Sequence, residues 1–62
     1  MPMSPQQFRR ALRQLRLSQV QAARRLGVNE RTVRRWVAGE SRIPESASLV
    51  LQLWLRARPR HR

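Results

Sequence analysis

Only three residues, Gly27-Val28-Asn29, separate two stretches of helical periodicity, and Gly39 closes the second of them. This spacing leaves the chain little freedom. Ser18 is a good N-cap, and Gln21 three residues later completes a capping box. The stretch so opened buries Val20, Ala22, Ala23 and Leu26 and stops at Gly27, a residue suited to a left-handed C-cap. Asn29 is again an N-cap, and Glu30 complements the dipole of a helix that runs to Ala38. Two helices joined by so short a turn cross steeply. Ala23 is small where they must approach. Leu26, Val28, Val33 and Trp36 are apolar where the pair must close onto a core.

Two further helices are expected to supply that core. Ser4, Pro5 and Gln7 form a second capping box with proline at the first helical position. The stripe Phe8, Ala11, Leu12, Leu15 has the i, i+3, i+4, i+7 spacing of one helical face. After a polar loop, Glu40-Ser41-Arg42, Pro44 begins a last helix that extends to about Arg56. Its residues Ala47, Val50, Leu51 and Trp54 make one face, and Trp36 and Trp54 are both expected in the core. With no strand pattern, internal repeat or linker, the chain reads as all-α: one compact four-helix domain over residues 1–57, with a basic disordered tail over 58–62. His61 is an idle residue of that tail. A chain of 62 residues buries only about 60% of its unfolded surface, so its stability is marginal. Lacking Cys, it has no disulfide or thiolate metal site to supplement the core. Association with a second copy or a ligand remains.

The charge narrows the partner. Fourteen basic residues, all Arg, oppose three acids, Glu30, Glu40 and Glu45, for a formal net charge of +11. Such a field attracts polyanions, either nucleic acid or an anionic membrane surface. Arginine favours forked contacts with phosphate and guanine. Catalysis has little to work with: one His, three scattered carboxylates and no Gly-rich phosphate loop assemble neither a nucleophile–base pair nor a metal ligand set. The expectation is no enzyme, no catalytic residue, no metal and no cofactor. Met1-Pro2-Met3-Ser4-Pro5 has no charged leader before an apolar run, so no signal peptide is expected.

The helix from Glu30 to Ala38 has two faces. Val33, Trp36 and Val37 lie on one. Arg31, Arg35 and Ala38 lie opposite, with Arg34 on the flank. Like charges one turn apart repel in a free helix, and they suit a partner that is itself negative. The major groove of B-DNA admits one helix and offers guanine O6 and N7 to a forked Arg. Leu17-Ser18-Gln19, Ala23, Leu26-Gly27-Val28, Arg31 to Trp36 and Gly39 resemble the Cro/lambda-repressor type of helix-turn-helix domain. The likeness covers roughly residues 4–55, and Ile43-Pro44-Glu45 also recurs in short stand-alone members, some of them autorepressors of mobile-element operons.

That resemblance implies a lambda-repressor-like fold and a role for individual residues. Glu30, Arg31 and Arg35 match base-reading positions. Gln19 matches the residue that clamps a phosphate and braces the reading helix. Asn29, Thr32, Arg34 and Arg42 match neighbours that touch the DNA backbone, and Arg10, with Arg9 and Arg13, could add phosphate contacts. Two readings of Glu30 stand side by side: hydrogen-bonding cytosine N4, or capping the dipole and pairing with Arg34. The sequence departs from the family in carrying more Arg around the reading helix and in having no room for a fifth, dimer-forming helix.

The last helix is expected to make good that lack. Leu49 and Leu53 lie nearly opposite its core face, with Leu55 between, where a surface helix should be polar; they are the candidate dimer interface. The expectation is a dimeric transcriptional regulator, most simply an autorepressor. It would bind double-stranded DNA at an inverted-repeat operator in the cytoplasm of a bacterium or phage host, on the nucleoid when bound, with no small-molecule substrate and no membrane partner. An antitoxin-like or RNA-binding regulator is the nearest alternative. A cationic amphipathic peptide acting on membranes is the rival of another class, and Gly27, Gly39 and the repeated caps argue against the long uninterrupted helix it needs.

Overall fold

The computed structural model describes residues 3–58. Among these residues there are four helices, α1 (Pro5–Leu15), α2 (Gln19–Leu26), α3 (Glu30–Ala38) and α4 (Glu45–Ala57), and no strand. Both capping boxes form. The Ser4 hydroxyl accepts from the Gln7 amide at 3.1 Å and the Gln7 side chain accepts from the Ser4 amide at 2.8 Å; Ser18 and Gln21 repeat the arrangement. Asn29 Oδ1 accepts from the Arg31 amide at 2.8 Å. Gly27 and Gly39 end α2 and α3 in the left-handed conformation, at φ 73° and 78°.

The residue before each N-cap is Met3, Leu17, Val28 or Ile43, and all four pack into or against the core. An apolar residue at this place fixes the angle at which the chain enters a helix. Ile43 is 3% exposed, so the polar loop before α4 is pinned from beneath by a residue absent from the expected core. α3 packs on α2 and α1, and α4 on α1. Phe8 and Trp36 meet edge to face, ring centroids 5.6 Å apart at 83°, with Val33 and Leu51 fully buried alongside in the same core.

Several details differ from expectation. Pro44 is the N-cap of α4 rather than its first helical residue, and it offers no side-chain cap. Val20 is 36% exposed, because α2 turns only Ala22 and Ala23 fully inward. Trp54 and Val50 are half-buried, whereas Ser48, not among the expected core residues, is buried and accepts a 3.5 Å hydrogen bond from Gln52 Nε2. Arg58, placed in the tail by sequence, ends α4 and donates from its guanidinium to the Gln14 carbonyl at 2.9 Å. The other tail residues, 59–62, lie outside the described residues.

The stop of α1 has no glycine. Arg16 takes the left-handed conformation, φ 59°, while the Leu17 amide donates back to the Leu12 carbonyl at 2.9 Å. An L-residue with a Cβ is strained there by about 1–2 kcal/mol. Part of that gain is offset because glycine loses more freedom on folding. Arg16→Gly should therefore stabilise the domain by about 0.5–1 kcal/mol, read as a thermal midpoint several degrees higher by circular dichroism. An unchanged or lower midpoint would show that the strain is absorbed by the turn.

Candidate nucleic-acid interface

The interface is built outward from the Val33–Trp36 anchor of α3. Once these two side chains are buried, the 100° step of the helix puts Glu30, Arg31, Arg34, Arg35 and Ala38 in solvent, and all five are exposed. Thr32 is half-buried at the margin. Asn29 is exposed, and its side chain is already engaged as the N-cap.

Electrostatics divide the face. Arg34 reaches back one turn to Glu30, at 3.0 Å, the one ion pair among the described residues. Both partners are largely solvated, so the pair contributes only about 0.3–0.5 kcal/mol. It therefore orients two side chains without committing them, and a stronger partner can exchange either one. In the free protein Glu30 is thus paired with Arg34 and also sits in the first turn of α3, where a carboxylate complements the dipole. Arg31 and Arg35 form no ion pair with any described residue. They remain two forked cations one turn apart on a rigid helix, a donor arrangement suited to guanine edges or phosphates.

The flanking candidates fall in two places. Gln19 is the first residue of α2, half-buried, directly after the Ser18 cap. Arg42 is exposed in the loop between Gly39 and the buried Ile43, so its backbone is held although its side chain is free to extend. Arg10 stands apart from these. It lines a groove of about 450 Å³ between α1 and α4, together with Gln7, Gln14, Ser48, Gln52 and Leu55. Arg9 and Arg13 are exposed on α1. Leu49 and Leu53, 52% and 60% exposed, stand on the outer side of α4.

Among the described residues no group of three or more His, Asp or Glu side chains converges, and no helix is long and apolar enough to cross a membrane. The architecture is that of a scaffold presenting a cationic helix.

Comparison with known proteins agrees. The sequence model of the family described as Helix-turn-helix matches residues 8–51. That span runs from the first core residue of α1 to Leu51 in α4, and so includes the whole α2–turn–α3 unit. No curated protein and no solved structure matches the chain. The family is one of DNA-binding regulatory domains with the lambda-repressor-like all-α fold, and its kind of function is transcription regulation on double-stranded DNA. A match over this much of the chain, on the residues that make the turn and the presented helix, establishes that this protein belongs to the Helix-turn-helix family.

Proposed function

We propose that the protein is a sequence-specific repressor that binds an inverted-repeat operator as a homodimer and acts by occlusion. The observation that carries this reading is α3 itself, with one face locked into the core by Val33 and Trp36 and the other presenting Arg31 and Arg35 without an ion-pair partner among the described residues. Such a helix enters the major groove with its first turns against base edges. Arg31 and Arg35 read bases, and Glu30 joins them by accepting from cytosine N4 once Arg34 turns to a phosphate. Gln19 and Arg42, with Asn29, Thr32 and Arg34, hold the backbone. Arg10, on the α4 side of α1, adds to the field more than to the contact. Repression by occlusion requires only that the bound domain cover the operator. The site of action is the cytoplasm, on the nucleoid when bound, and the control of a mobile-element operon is the setting that short stand-alone members suggest.

One reading helix contacts few base pairs, so specificity calls for a second copy. The surplus of apolar surface at Leu49 and Leu53 is where it docks. A two-fold dimer of this kind sets two reading helices in successive major grooves, about 34 Å apart, so half-site centres should lie about 10 bp apart. Binding-site selection from random DNA, followed by gel shift on one and two half-sites, tests both claims. The expected result is a palindrome bound cooperatively. Leu49→Glu with Leu53→Glu should keep half-site binding and abolish cooperativity. Selection of a single asymmetric site, or full cooperativity in that variant, would overturn the dimer.

A further inference from the structure

The outer side of α4 carries more than two leucines. At about 100° per residue, Glu45, Leu49, Gln52, Leu53 and Arg56 fall within one arc of about 100°, and all five are exposed. Ala47, Ser48 and Leu51 are buried, and Val50, Trp54 and Leu55 are half-buried, all on the remaining arc. The exposed stripe thus has an acid at its start, leucines in its middle and a base at its end. Glu45 is the one acidic residue of α4, in a chain that has three.

The order of these residues is self-complementary. The midpoint of Glu45 and Arg56 falls between Val50 and Leu51, and the midpoint of Leu49 and Leu53 is Leu51. At about 1.5 Å per residue the two centres coincide within about 1 Å. A second α4 laid antiparallel across the first, about a two-fold axis at that point, opposes Leu49 to Leu53 and Glu45 to Arg56 in one register. Isologous contacts require this reciprocity. Neither Glu45 nor Arg56 forms an ion pair among the described residues. Each already complements the dipole at its own end of α4, and antiparallel pairing adds opposed helix dipoles to opposed charges.

We propose that α4 pairs with α4 of a second copy in this antiparallel register, and that two Glu45–Arg56 contacts, one at each end of the leucine pair, fix it. The inference rests on the dimeric reading above and deepens it. It commits to a second copy of this chain because the stripe complements itself in charge as well as in shape. Two domains of net charge +11 otherwise repel, and the register places an acid of each copy against a base of the other on either side of the leucine contact.

Charge exchange tests it. Glu45→Arg sets Arg against Arg at both ends, and Arg56→Glu sets Glu against Glu. Each variant alone should self-associate about ten-fold more weakly than the wild type, since each loses two attractions and gains two repulsions. Mixed in equal amounts, they should form heterodimers beyond the random proportion. The heterodimer has both contacts restored and the same net charge as the wild-type dimer, and Arg56→Glu lowers the net charge yet should still weaken self-association, which a general electrostatic effect would not do. Native mass spectrometry, with one variant tagged for mass, reads the heterodimer; gel shift on the two-half-site operator reads recovered cooperativity. The chain with both exchanges, E45R and R56E together, should dimerise as the wild type does. If the wild type dimerises but the mixture shows no preference for heterodimer, the register is wrong while the dimer stands. If the wild type binds two half-sites independently, the dimer reading falls and the register with it.

Discussion

Trp36→Ala should unfold the domain. The side chain is 4% exposed and meets the edge of Phe8, which is fully buried. Removing a buried Trp costs about 3–5 kcal/mol. The whole stability of a chain this size is about 3–9 kcal/mol at the usual value per residue. The loss also falls where α1 and α3 meet. Circular dichroism should show either no cooperative melt or one far below the wild-type midpoint, with DNA binding lost in parallel. Phe8→Ala should do the same. The two losses should not add, because each variant already removes the shared edge-to-face contact. If Trp36→Ala keeps the wild-type melt and loses only DNA binding, Trp36 is a contact residue and the core has been assigned wrongly.

The second large effect is opposite in kind. Arg31→Ala and Arg35→Ala should leave the melt nearly unchanged, because both side chains are exposed and neither has an ion-pair partner among the described residues. Each should cost about 1–3 kcal/mol on the selected operator and relax preference at one base position. Arg42→Ala should weaken binding to all sequences alike and flatten the salt dependence by about one unit of slope. Repeating the binding-site selection with each variant separates the two classes. An Arg35→Ala protein that returns the wild-type consensus at wild-type affinity would remove Arg35 from the base-reading set.

Much of the fold was legible because caps are local chemistry. Ser4, Ser18 and Asn29 announce helix starts through hydrogen bonds that span three residues or fewer, and Gly27 and Gly39 announce stops through a backbone angle that few other residues accept. The stop at Arg16 was not legible for the same reason: nothing about an arginine marks a left-handed position, and tertiary packing of Leu12 and Leu17 holds it there. Val20 misled because a helix of eight residues has too few turns for its spacing to define a face. In α4 nearly every side is apolar, so spacing alone could not apportion Trp54, Val50 and Leu55, and the polar Ser48 gave no sign that it lies inward. Ile43 had a signal, its place just before the cap of α4, that stands out only when compared with Met3, Leu17 and Val28. The candidate site fared differently. Exposure of Arg31, Arg34 and Arg35 follows from burial of Val33 and Trp36 and was readable from the helix period. The Arg34–Glu30 pair follows from their i, i+4 spacing. What each residue touches on DNA depends on the partner's groove and register, which no periodicity in this chain encodes.

The division of α3 into a buried and an exposed face has a consequence for how such a protein can change over generations. Substitutions at Arg31, Arg34, Arg35 or Ala38 meet no neighbour in the core, so selection on folding sees them only weakly. A lineage can therefore drift to a new operator by single steps, each retaining a folded protein. Val33 and Trp36, between the same exposed positions in sequence, are held fixed by the cost of a cavity. On the reading of α3 proposed above, target and scaffold are thus inherited on one nine-residue helix yet vary independently. A regulator and the site that it reads can diverge from a parental pair without passing through an unfolded intermediate.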